Sequence, residues 1–224
     1  MSTRTKSFRD RREAARCLAA KLTKYAGRID VVVVGLPRGG VVTAFEIADE
    51  LHLPLDVIVV RKLGAPGQEE LAMGAVARGV TIVNEQVVRT IGISKETVEA
   101  SAERERREVA RREIEFRGGR AALDLAGKTV IVADDGLATG SSMRAAVVAL
   151  RRLGPAKIVL AVPVAPLDVY THFKNEVDEV ICLSMPQPFG AVAFWYDRFE
   201  PVADREVMRL LDRAAHRETV GAAV

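Results

Sequence analysis

The sequence predicts an α/β protein: one open, mostly parallel five-stranded sheet with helices on both faces. Three observations carry this. Four short runs are rich in β-branched apolar residues: Ile29 to Val34, Leu55 to Val60, Thr129 to Ala133 and Ile158 to Val164. Strands buried on both faces of a parallel sheet have this composition. Helical patterns lie between the runs, and strand–helix alternation is the mark of an α/β sheet. Finally, 224 residues with 49% hydrophobic and 28% charged side chains suit a single globular domain over 1–224 and exclude a disordered or fibrous chain.

Taken in order, Ser7 to Tyr25 reads as a helix. Ser7-Phe8-Arg9-Asp10 resembles a capping box, and Ala15, Leu18, Leu22 and Tyr25 fall on one face. Val41 to Leu51 is helical between the first two strands. Residues 61–85 break the rhythm with Gly, Pro and Gln, followed by short β-like pieces. Residues 94–117 form a charged helical insertion, with Glu103/Arg107 and Glu108/Arg112 in the favourable i,i+4 order. A solvated helix is the first expectation, and a cap over a site or a dimer arm the alternative. After the third strand, Ser141 to Leu153 carries Met143, Val147, Leu150 and Leu153 on one side. A weaker helix starts at Pro166, Glu179 to Met185 suits a last strand, and Asp204 with Val207, Leu210 and Leu211 suggests a final helix. The core is expected at about 27–185, with a small hood at about 186–217.

Composition narrows the function classes. Thirty-three basic against 30 acidic side chains leave a net charge of +3, so nucleic acid is not an expected partner. Cys17 and Cys182 form no metal spacing and no disulfide framework. No apolar stretch approaches the roughly 20 residues of a membrane span, and the basic N-terminal stretch lacks the apolar block of a secretory signal. A cytoplasmic protein without membrane partners is the expectation.

The most informative segment is Val130-Ile-Val-Ala-Asp134-Asp135-Gly136-Leu137-Ala138-Thr139-Gly140-Ser141-Ser142-Met143. An apolar strand delivers two adjacent carboxylates at its carboxyl end, where open α/β sheets bind ligands. A loop of small residues then opens into a helix, whose free amides and dipole suit a phosphate. Two carboxylates beside a phosphate cradle can accept hydrogen bonds from a vicinal diol, so the site suits a sugar phosphate. No G-x-x-x-x-G-K-[ST] and no strand-following G-x-G-x-x-G is present, which argues against an ATPase and a dinucleotide fold. A second loop, Leu36-Pro37-Arg38-Gly39-Gly40, follows the first strand, and Arg61-Lys62-Leu63-Gly64-Ala65-Pro66-Gly67 follows the second. Both would place cations at strand carboxyl ends.

The acidic segment resembles the 5-phosphoribosyl-1-pyrophosphate (PRPP) motif of the type I phosphoribosyltransferases. Leu36 to Gly40 is similar to that family's pyrophosphate loop, and Arg61-Lys62-x-Gly64 to the start of the mobile loop of adenine phosphoribosyltransferases. The resemblance covers about residues 27–185, and the chain looks most like bacterial phosphoribosyltransferase-like proteins bearing a Leu-Pro-Arg-Gly-Gly loop. It implies that Asp134 and Asp135 bind the ribose hydroxyls and, indirectly, Mg²⁺. Gly136, Leu137, Ala138, Thr139, Gly140, Ser141 and Ser142 would bind the 5′-phosphate; Pro37, Arg38, Gly39 and Gly40 would bind pyrophosphate. Arg38, Arg61 and Lys62 would be catalytic cations. Ala138 stands where 6-oxopurine enzymes carry an acid, which disfavours hypoxanthine, guanine and xanthine as acceptors. Phe194, Trp195 and Asp197 are candidates for binding a nucleobase-like acceptor. The expected reaction is pentosyl transfer from PRPP with release of pyrophosphate; the alternative is a PRPP-binding regulator of the same fold. A homodimer is left open.

Overall fold

The computed structural model describes residues 7–65 and 68–221. The first helix is α1 (Arg11–Ala19), shorter than expected and followed by a 3₁₀ turn at Thr23–Tyr25. Its capping box sits one turn later than the sequence suggested. Asp10 accepts from the Glu13 amide at 2.9 Å, and Glu13 accepts from the Arg9 amide at 2.6 Å. The Asp10 carboxylate satisfies a first-turn amide that the helix would otherwise leave unpaired, while Glu13 reaches back to the amide just before the cap. Asp10→Ala should therefore cost about 0.5–2 kcal/mol, measurable by denaturant unfolding; an unchanged midpoint would show that water replaces the cap.

Then follow β1 (Val31–Gly35), α2 (Gly39–Leu51), β2 (Leu55–Val57), β3 (Val60–Ala65), β4 (Gln68–Ala77), β5 (Val80–Val83), α3 (Glu85–Ile91), α4 (Lys95–Phe116), β6 (Thr129–Ala133), α5 (Ser141–Arg152), β7 (Lys157–Val164), α6 (Leu167–Phe173), β8 (Glu179–Ser184) and α7 (Asp204–Gly221). Five strands form a wholly parallel sheet in the order β2-β1-β6-β7-β8. Ile29 does not join it: its side chain is 95% exposed, and the strand begins at Val31.

Alternation along the central strands divides the core. Val31 and Val33 of β1 and Ile131 and Ala133 of β6 face α1, α2 and α7. Val32, Val34, Val130 and Val132 face α5 and α6, through Met143, Leu150 and Phe173. Burial on both faces explains why these runs lack a polar alternation. Because all five strands are parallel, the turns after β1 and β6 open at the same edge. Gly35 pairs with Ala133 in register, so the Leu36–Gly40 loop and the Asp134–Ser142 loop leave the sheet side by side.

The segment that resembles the start of a mobile loop, with its short β-like pieces, is an antiparallel sheet, β3-β4-β5. Arg61 and Lys62 lie within β3; Pro66 and Gly67 fall outside the described residues. The apolar side chains Leu63, Met73 and Val76 give this sheet its own share of the core. The charged α4 is not simply solvated either. The predicted pairs Glu103–Arg107 (3.2 Å) and Glu108–Arg112 (2.9 Å) are formed. Yet Val98, Ala102, Glu105, Val109, Glu113 and Phe116 make a buried stripe at helical spacing, two glutamates among them. Glu113 joins Asp56 in enclosing Arg117, which donates to Asp56 Oδ1 at 2.7 Å and to Glu113 Oε2 at 3.1 Å. Burial opposes the charge on Arg117, but the two carboxylates outweigh it and raise its pKa. Arg117 also donates to the Val57 carbonyl, which fastens the end of α4 to the edge strand β2. No helix among the described residues is long and apolar enough to cross a membrane.

Candidate active site

β6 ends at Ala133, and the backbone turns so that Asp134 and Asp135 stand at the carboxyl edge. Asp134 Oδ1 accepts from the Asp135 amide at 2.8 Å. Although Asp134 keeps some exposed surface, burial and the neighbouring charge of Asp135 push its pKa well above the usual carboxylate range. The two acids lie flush against the β1 loop. A Cβ added to Gly39 would collide with Asp135 Oδ2, and one on Gly40 would stand 2.7 Å from Asp134 Oδ1. Glycine at these positions is a matter of close approach between the two loops. The peptide bond Pro37–Arg38 is cis. Arg38 is exposed and comes no closer than 3.8 Å to its partner, Asp204 Oδ1.

After the acids, the chain rises to the start of α5. Among the described residues, the amides of Gly136, Ala138, Thr139 and Gly140 donate to no protein acceptor. Gly140 takes φ +72, and a Cβ there would meet Phe173 at 2.7 Å, so both backbone and space call for glycine. Thr139 and Ser141 exchange a hydroxyl hydrogen bond at 2.9 Å. Unpaired amides, hydroxyls and a helix start together are donors that could hold a phosphate-sized anion. A cavity of about 440 Å³ adjoins it, lined by Gly74 and Asn84 of the hairpin side and by Ser141 and Arg144 of α5.

Two residues that the sequence did not single out complete the corner. Arg11 Nε donates to Asp135 Oδ2 at 2.7 Å. Tyr196 Oη donates to the Asp135 carbonyl at 2.5 Å. Burial, aided by the charge of Asp135, raises the Tyr196 pKa, so its hydroxyl stays a donor. The Tyr196 ring stacks on Phe199 at 4.9 Å and packs with Phe8. Phe8 and Tyr196 form a parallel bridge, so a hood is built from early and late segments of the described chain.

A model of the phosphoribosyl transferase domain matches residues 6–197. The chain belongs to the phosphoribosyltransferase family. Over 214 residues it is 45% identical to the provisionally named phosphoribosyl transferase Rv0571c of Mycobacterium tuberculosis strain H37Rv, covering 95% of this chain and 48% of that protein. MT0597 of strain CDC 1551, named in the same way, matches equally. The chain thus spans about half the length of the curated relatives it matches. Among solved structures, TT1426 of Thermus thermophilus is 41% identical with a TM-score of 0.78, covering 92% of this chain and 97% of that one.

Within this phosphoribosyltransferase fold the expected site residues divide. Asp134, Asp135, Gly136 to Ser142 and Pro37 to Gly40 come together at one edge. Arg61 does not point there freely: its Nε donates to Glu105 of α4 at 2.9 Å, beside a separate, larger cavity of about 710 Å³ along α4. Lys62 is exposed and has no ion pair among the described residues. Of the acceptor candidates, Phe194 is 75% exposed. Trp195 Nε1 donates to the Phe189 carbonyl at 3.0 Å, and Asp197 accepts from the Ser7 hydroxyl at 2.9 Å. Besides Tyr196, the hood residue Val192 reaches the acid-bearing loop, 2.6 Å from where a Gly136 Cβ would lie. Among the described residues no three His, Cys, Asp or Glu side chains form a metal cage.

Proposed function

We propose that the chain transfers the 5-phosphoribosyl group from PRPP to a nitrogenous acceptor of the nucleobase class, in the cytoplasm, releasing pyrophosphate. The observation that supports this most is the contact of the paired acids with Gly39 and Gly40 beside four unpaired amides. That arrangement has acceptors for two hydroxyls, donors for one phosphate and a second loop for a diphosphate, side by side at one sheet edge. Asp134 and Asp135 hold the ribose hydroxyls. The free amides of Gly136, Ala138, Thr139 and Gly140, with the hydroxyls of the same loop, hold the 5′-phosphate. Arg38, with Lys62, counters the charge that grows on the diphosphate as the C1–O bond breaks and the acceptor nitrogen bonds to C1, whereas Arg61 is held by Glu105. Mg²⁺ fits as a substrate-borne ion, since two carboxylates without a cage are the kind of donor set that shares this cation with phosphates and water. When bound, it would neutralise the diphosphate. The exposed Ala138 offers no acid to a base nitrogen, so acceptors other than 6-oxopurines are favoured.

A PRPP-binding regulator is the second reading, favoured by the engagement of Arg61 with Glu105 rather than with the crevice. A screen of nucleobases with PRPP and Mg²⁺, reading pyrophosphate release, separates the two. Binding itself has its own check. Asp135→Asn should weaken PRPP by about 1.5–3 kcal/mol, the worth of hydrogen bonds to a charged group. Unchanged calorimetric affinity in the Asp134→Asn/Asp135→Asn double variant would remove the ribose assignment.

A further inference from the structure

We propose that Arg11 is a positioning residue of the phosphoribosyl site: from α1, it fixes the Asp135 carboxylate for the ribose hydroxyls and joins it to the pyrophosphate loop. The inference rests on the phosphoribosyl reading above and adds to it a residue outside both sequence motifs.

Arg11 is held at three points. Nε donates to Asp135 Oδ2 at 2.7 Å, and Nη1 donates to the Glu200 carbonyl at 2.7 Å. Its Cζ lies 3.7 Å from the centre of the Phe199 ring. Phe199 stacks on Tyr196, and Tyr196 holds the main-chain carbonyl of the same Asp135. The contacts therefore close into a ring that grips Asp135 by side chain and backbone at once. Both side chains of the ion pair are largely covered, 11% and 15% exposed. Neighbouring arginines are used otherwise: Arg9 pairs with Asp10, and Arg12 with Glu46.

The point of convergence is Gly39. A Cβ placed there would collide with Asp135 Oδ2 and lie 3.0 Å from Arg11 Nε. A guanidinium from α1, a carboxylate from β6 and the backbone of the β1 loop thus meet within one side chain's width. Stability alone is a weak reason for such a pair, because desolvating two charges offsets much of their attraction. Substrate charge is a stronger one. PRPP is a polyanion, and an uncompensated Asp135 would repel it at the very place where it must bind. One charge-assisted bond from Arg11 cancels that repulsion. It also leaves lone pairs on the carboxylate to accept from hydroxyls.

The test is a double-mutant cycle on the full chain, with PRPP and Mg²⁺ as the titrant and calorimetry as the readout. Arg11→Met should weaken PRPP roughly 10–100-fold. In the Asp135→Asn background the same substitution should change affinity by no more than roughly twofold, because its effect runs through the carboxylate that is already gone. Arg11→Lys keeps the charge but not the fork, and should recover part of the loss; if Arg11→Met does not fold, Arg11→Lys takes its place in the cycle. Wild-type affinity in folded Arg11→Met, or full additivity with Asp135→Asn, would overturn the proposal while leaving the phosphoribosyl reading intact. Failure of the wild type to bind PRPP would overturn both.

Discussion

Arg38→Ala should slow phosphoribosyl transfer by roughly 10²–10³, the loss that follows removal of one preorganised donor to developing charge. Affinity for ribose 5-phosphate should stay at the wild-type level, because the amides of 136–142 and the acid pair are untouched. The reason lies in what Arg38 does at rest. It is more than half exposed, and its contact with Asp204 is a loose 3.8 Å. That Asp204 oxygen is buried and has no hydrogen-bond partner among the described residues. Arg38 therefore loses little by turning to a diphosphate that arrives at the loop. An interaction gained chiefly in the transition state lowers kcat and kcat/KM together when it is removed. Single-turnover rates set beside ribose 5-phosphate titrations test this. If no base yields pyrophosphate with the wild type, while PRPP binds tightly and Arg38→Ala merely weakens it, the regulator reading replaces the enzyme reading.

The largest stability loss should come from Arg117→Ala, about 3–5 kcal/mol, the cost of leaving buried charge without its partner. Arg117, Asp56 and Glu113 are all nearly inaccessible. With the guanidinium gone, two carboxylates would face each other in the interior, and Arg78, 4.0 Å from Glu113, is too loosely placed to stand in for it. The β2 edge would also lose the bond from Arg117 to the Val57 carbonyl. Adding Asp56→Asn to Arg117→Ala should recover part of the loss, since it removes one of the stranded charges. Equilibrium denaturation of the single and double variants measures both effects; a loss under about 1 kcal/mol would mean that water reaches the cluster and screens it.

The parallel sheet was legible because its strands are buried on both faces. Val31 to Val34 and Val130 to Ala133 have no solvent side to place a polar residue on, and such runs admit few other assignments. The acid-bearing loop was legible because its chemistry is local: fourteen consecutive residues hold the strand end, the carboxylates and the cradle. Arg11 was not, since its role depends on a partner 124 positions away. In the local sequence it is one basic residue in an Arg-rich helix, indistinguishable from Arg9 or Arg12. Tyr196 follows Phe194 and Trp195 directly in the sequence, and nothing local says that its hydroxyl, rather than the face of either neighbour, meets the site. Residues 61–85 read as a break in the rhythm followed by short β-like pieces, because Gly64, Pro66 and Gly67 dominate its start; the pairing of Val60 with Ala77 that makes a hairpin is non-local. In α4 the charge density hid a buried stripe, because Glu105 and Glu113 occupy positions where apolar residues were the expected signal.

The joining of early and late segments over Asp135 also fixes an order of events during synthesis. Ser7 meets Asp197 across 190 positions, and Phe8 bridges to Tyr196. A chain emerging from the ribosome therefore exposes Arg11 first, the two acids 124 positions later for Asp135, and Tyr196 and Phe199 after both. Until those rings emerge, Asp135 has its guanidinium within reach but not the stack that immobilises it. The ligand corner is accordingly among the last parts of this fold to be completed, whereas β1 and α2 are available to pack early. Truncations ending before Tyr196 should keep most of the parallel sheet and lose the corner.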